Sequence, residues 1–96
     1  MKKFVFLYVG FEEYTKDGMS AWMNWFATFK NNIVDSGNPF EGGVEINEGV
    51  RKSLPRDREC ISGYSIVNAK DQAEAEGFTK GCPAVGGVRV YEAIPM

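Results

Sequence analysis

The segment Lys3-Phe4-Val5-Phe6-Leu7-Tyr8-Val9 is apolar on both sides of a strand. Side chains alternate along a strand, so Phe4, Phe6 and Tyr8 share one face while Val5, Leu7 and Val9 share the other. A strand of this kind needs cover on both faces of its sheet. Gly10 closes it. A basic start followed by an apolar run has the outline of a signal peptide. This run is too short for one, no small-residue cleavage site follows, and Phe11-Glu12-Glu13-Tyr14 comes next, so a buried strand fits better. No stretch approaches membrane-spanning length, and a membrane is not expected as partner.

Met19, Trp22, Phe26, Phe29 and Ile33 recur at helical spacing, with Ser20, Asn24, Asn31 and Asp35 opposite. The spacing predicts an amphipathic helix over Gly18–Ser36, with Asp17 as N-cap and Gly37-Asn38-Pro39 as its stop. Val44 and Ile46 alternate with Glu45 and Asn47, which predicts a second, half-exposed strand opened by Gly42-Gly43. From Glu48 to Glu59 the pattern dissolves into Gly49, Pro55 and mixed charges, as a solvated hairpin tip would. Ile61 to Asn68 reads as the third strand. Asp71 and Glu74 make a capping-box start for a short second helix along Ala75, Phe78 and Cys82. Val88, Val90 and Ile94 alternate with Arg89, Tyr91 and Ala93 as the fourth strand. The expected fold is α+β: a single ferredoxin-like β-α-β-β-α-β domain over residues 1–96, with both helices on one face of a four-stranded antiparallel sheet.

Thirteen acidic against eleven basic residues offer no field for a phosphate backbone, so nucleic acid is not expected as a partner. Histidine is absent, which removes imidazole catalysis and the commonest transition-metal ligand, and the two cysteines lack CxxC spacing. No metal and no cofactor are expected. Without a secretory signal a cytoplasmic location follows, with Cys60 and Cys82 as thiols.

Several segments together resemble the YCII-related (DGPF-type) domain family over essentially the whole chain. They are Tyr8-Val9-Gly10, Trp22-Met23-Asn24-Trp25-Phe26, Ser36-Gly37-Asn38-Pro39-Phe40, Gly63-Tyr64-Ser65-Ile66, and Gly81-Cys82-Pro83 before Val88-Arg89-Val90-Tyr91-Glu92. The resemblance implies a homodimeric α/β barrel in which two sheets face one another around a pocket, in keeping with the doubly apolar first strand. Some members resemble enzymes with a His near the start of helix one and an Asp in an Asp-Pro pair after helix two. Here the first position falls near Ser20 to Trp22 and the second is Cys82-Pro83, so the His/Asp acid–base mechanism is not expected.

Five residues are candidate ligand contacts: Tyr8, Trp25, Tyr64, Arg89 and Tyr91. Trp25 sits about 60° from Trp22 at ~100° per residue, on the flank of the stripe, where it meets a pocket or partner as readily as the core. Trp22 and Phe26 read as core. Accordingly, Trp25→Ala is expected to cost less stability than Trp22→Ala. The three tyrosines and Arg89 would place hydroxyls and a guanidinium in the barrel for a small acidic or aromatic ligand; packing at the dimer interface is the alternative. Cys82 follows a helix, so no helix N-terminus lowers its pKa, and a buried inert thiol is expected. Arg51, Lys52, Arg56 and Arg58 are interrupted by Asp57 and Glu59, as on a solvated tip. Catalytic residues are not assignable. The leading expectation is a small-molecule-binding dimer lacking the family's His/Asp pair. An enzyme using Tyr, Asp or Cys chemistry and a protein-interaction module remain as alternatives.

Overall fold

The computed structural model describes residues 1–13 and 15–96. The chain is a small α+β protein with two helices and two antiparallel sheets. Its elements are β1 (Lys2–Val9), α1 (Lys16–Ala27), β2 (Ile33–Asp35), β3 (Gly43–Asn47), β4 (Val50–Leu54), β5 (Ile61–Ala69), α2 (Gln72–Phe78) and β6 (Val88–Ala93), with a 3₁₀ turn at Lys30–Asn32. The main sheet runs β2-β5-β1-β6, and β3 and β4 form a separate two-stranded sheet.

β1 and β5 are the two interior strands of the main sheet, each hydrogen-bonded along both edges. Phe4 and Phe6 are fully buried and Tyr8 nearly so, whereas Val5, Leu7 and Val9 are only half-buried. Both helices lie on the Phe4-Phe6-Tyr8 side, where Trp25 of α1 and Ala75 of α2 join Phe29, Val67 and Ala69 in one core. Phe29 stacks on Phe78 at 5.3 Å between ring centroids, which ties the end of α1 to α2. The opposite face carries no helix. It presents Val5 beside Ile66 and Tyr91, and Leu7 beside Tyr64 and Arg89.

Three elements differ from the sequence expectation. The long helix predicted over 18–36 stops at Ala27. Thr28 bonds back to the Trp25 carbonyl with both its amide (3.0 Å) and its hydroxyl (2.7 Å), and this side-chain competition for the backbone tightens the last turn. Asn31 and Asn32, weak helix formers, do not carry it on. Asn32 instead donates to the Asn68 carbonyl at 3.1 Å, and residues 33–35 leave as a strand along β5. The N-cap is Thr15, whose hydroxyl accepts from the Gly18 amide at 2.9 Å; Asp17 lies in the first turn. The predicted second strand exists as β3, but it pairs with β4 rather than with the main sheet. The presumed loop after Glu48 contains β4, joined to β3 by a two-residue turn with positive φ at Glu48 and Gly49, the primed geometry that suits a twisted hairpin. Helix two is capped as expected, the Asp71 carboxylate accepting from the Glu74 amide at 2.9 Å.

The hairpin β3–β4 is exposed along its whole length. The chain exposes 6792 Å², against about 5500 Å² for a compact monomer of this mass. Its radius of gyration of 14.3 Å likewise exceeds the ~12.5 Å of a compact chain. The fully exposed hairpin contributes to this excess. No helix among the described residues is long and apolar enough to cross a membrane.

Candidate functional site

At the C-terminal end of β1 the chain turns away from the sheet, and α1 from Gly18 to Phe26 spans the gap above it. The result is a cleft of about 900 Å³. Its floor is Tyr8, its roof is the Trp22, Met23 and Phe26 side of α1, and its walls come from three loops, residues 10–13, 36–39 and 83–85.

The floor is held by a hydrogen-bonded chain. The Tyr8 hydroxyl donates to Ser65 Oγ at 2.6 Å, and Ser65 in turn donates to the Ser36 carbonyl at 2.6 Å. Ser65 is fully buried, so both of its hydroxyl roles are spent inside the protein. The Tyr8 ring meets Trp22 edge to face at 4.7 Å. Burial raises the Tyr8 phenol well above its ordinary range, so it stays neutral and acts as a fixed dipole. Burial likewise pushes the Cys82 thiol up, away from the thiolate that nucleophilic chemistry needs. Both cysteines are free. No group of three potential metal ligands occurs among the described residues.

The wall at residues 36–39 is fixed by close backbone contact. The Tyr64 amide donates to the Asn38 carbonyl at 3.3 Å and the Phe40 amide to the Ser62 carbonyl at 2.8 Å, so the loop continues the edge of the sheet. Gly37 takes φ +79°, and a Cβ there would overlap the Tyr64 carbonyl oxygen. Only glycine fits.

The five candidate residues separate into three places. Tyr8 lines the cleft with its ring, whereas Tyr64 borders it at the Gly37 contact and carries its side chain on the uncovered face beside Leu7. The Tyr64 hydroxyl reaches Asp35 at 3.3 Å, its ring stacks on Phe40, and the Asp35 charge raises its pKa. Arg89 and Tyr91 pair with Leu7 and Val5, which puts them on the uncovered face of the sheet, away from the cleft. Trp25 is core, 4% exposed, with Nε1 donating to the Phe78 carbonyl at 3.0 Å. This corrects the expectation for the two tryptophans: Trp22, half-buried, is the one that lines the cleft. The apolar residues from Met19 to Phe29 span about 160° at ~100° per residue, and the sheet takes only the Trp25–Phe29 side of that arc. Sequence reasoning also missed Phe11, Glu12 and Glu13, which belong to a loop with no periodic signal.

Compared with protein-family models and with curated proteins, the chain matches none.

Proposed function

We propose that this chain is a small-molecule-binding protein of ferredoxin-like topology, resembling the YCII-related domains, that works as a cytoplasmic homodimer and takes its ligand in the cleft beneath α1. The carrying observation is the cleft itself, about 900 Å³ with Trp22 and Tyr8 at its heart, a size and lining that suit a small ligand with an apolar body. The strand order β2-β5-β1-β6, with both helices over one face, supports the ferredoxin-like reading; β3 and β4 are then an insertion between its second and third strands.

The second copy covers the face bearing Val5, Leu7 and Ile66. Surface in excess of a compact monomer's, with Val5, Leu7 and Ile66 half-buried rather than covered, supports it. In such a dimer Arg89 and Tyr91 belong to the space between the sheets. Binding is favoured over catalysis by the neutral state of Tyr8, which leaves the floor of the cleft without an activated nucleophile or base. The lack of histidine points the same way.

The test is native mass spectrometry of protein purified from its host without denaturation, together with two-dimensional NMR of the two indole N–H groups. A retained small molecule that is lost from a folded Trp22→Ala variant is the expected result. Protein that carries nothing, and whose Trp22 signal ignores a panel of aromatic compounds, would refute the reading.

A further inference from the structure

The cleft has a chemical bias beyond its apolar lining. Among the described residues two charged ones line it, Glu12 and Glu13, and no lysine or arginine does. Around them the charges nearly cancel elsewhere. Arg58 reaches Glu12 at 3.6 Å, with both side chains largely exposed, and Arg56 is drawn to Glu41 at 3.4 Å while its guanidinium lies 3.7 Å from the Phe11 ring centre. In the first turn of α1, Lys16 is followed by Asp17. The partial positive charge of the α1 N-terminus is met by the Thr15 cap and by Asp17. The charged groups that line the cleft are therefore Glu12, paired at the rim with the exposed Arg58, and Glu13, beside a set of aromatic rings.

Trp22 and Phe26 are half-buried and line the cleft, and Phe11 lines it with its ring already against the Arg56 guanidinium. Met19 and Met23, 57% and 72% exposed, add polarizable thioethers at its mouth. Aromatic faces attract a weakly hydrated organic cation, and carboxylates at the rim repel an anion of the same shape.

Resting on the small-molecule reading above, we propose that the ligand is an organic cation: an apolar or aromatic group carrying an amine or quaternary ammonium, its charge held between Glu12, Glu13 and the ring of Trp22. The acidic ligand anticipated from Arg89 loses its basis, because Arg89 is on the other face of the sheet.

Three probes of one shape and different charge decide it: benzyltrimethylammonium, the neutral benzyl methyl sulfone, and phenylmethanesulfonate. The chain has two tryptophans, so its indole region holds two side-chain signals, assigned with Trp22→Phe. The ammonium probe should shift the Trp22 signal and bind about tenfold or more tightly than the sulfonate, with the sulfone between them. Its advantage should shrink with added salt and in the double variant Glu12→Gln/Glu13→Gln, whose exposed side chains leave the fold intact. Equal binding of all three probes, or a preference unchanged in the double variant, overturns the charge assignment while leaving the cleft as a binding site. If none of the three moves Trp22, the binding reading fails and takes this inference with it.

Discussion

Replacing each tryptophan by alanine tests which side of α1 is core. Trp25 is enclosed by aromatic rings, with centroids from 4.8 Å (Phe29) to 6.3 Å (Phe6), and its Nε1 donates to the Phe78 carbonyl. Truncating a buried Trp costs about 3–5 kcal/mol in lost transfer and cavity terms. The lost hydrogen bond adds about 1 kcal/mol. A chain of this length has a total stability of roughly 5–14 kcal/mol, so Trp25→Ala removes a large fraction of it and at the low end unfolds the protein. Trp22 is half-buried against Tyr8 and Phe26 and faces the cleft, so Trp22→Ala costs about 1.5–2.5 kcal/mol. In urea, with a slope of ~1.5 kcal/mol per molar, the two midpoints should fall by roughly 3 M and 1–2 M. If Trp25→Ala does not fold, Trp25→Phe keeps the ring, drops the donor and should still cost about 1–2 kcal/mol. A Trp22→Ala variant as damaged as Trp25→Ala, or more so, would refute the assignment of core and cleft.

Gly37→Ala puts a methyl group onto the Tyr64 carbonyl in a left-handed backbone, and should cost several kcal/mol, read as a large drop in melting temperature; a change under ~1 kcal/mol would contradict the close approach. Alkaline stability should fall in two stages. Cys82 and Tyr8 are held protonated in the folded state, so their contribution is intact below their ordinary values of 9.0 and 10.0 and is lost as pH rises beyond each. Urea midpoints from pH 7 to 11 would show this, and Tyr8→Phe should flatten the second stage; equal slopes in both proteins would discount Tyr8. For the assembly, light scattering at micromolar concentration should give a dimer that Val5→Glu, at the centre of the uncovered face, converts to a folded monomer. A wild-type monomer would end the face-to-face proposal.

The doubly apolar β1, the start of α2 at Asp71 and the strands β5 and β6 were legible because each combines a clear period with a stop signal. The end of α1 was not. Phe29 and Ile33 continue the helical spacing by coincidence, one as the residue that leads into the 3₁₀ turn and the other as the first of an edge strand. β4 hides because Val50 and Leu54 flank Arg51, Lys52 and Ser53, a pattern that reads as a solvated loop unless the turn at Glu48-Gly49 is recognised. Tyr8 was legible as a strand tyrosine at one end of the sheet and lies against the cleft, while Tyr64 borders the cleft but shares the opposite face with Leu7. The centre of the apolar stripe, however, is not the centre of its contact: α1 spends half of its arc on the sheet and half on the cleft, and sequence gives only the whole arc.

The position of β1 also governs how this chain can be made. Its hydrogen-bonded neighbours are β5 and β6, so Lys2 must wait for Ala69, and Leu7 for Arg89, before either has a partner. A ribosome adding about 5–20 residues per second leaves Phe4, Phe6 and Tyr8 without their sheet for several seconds after they emerge. Local pairs such as β3–β4 can form meanwhile, but they bury none of those rings. Sheet assembly is thus dominated by distant pairings, which puts refolding in the millisecond-to-second range. During synthesis the same apolar strand that anchors the finished protein is the segment most exposed to chaperones and to misassociation.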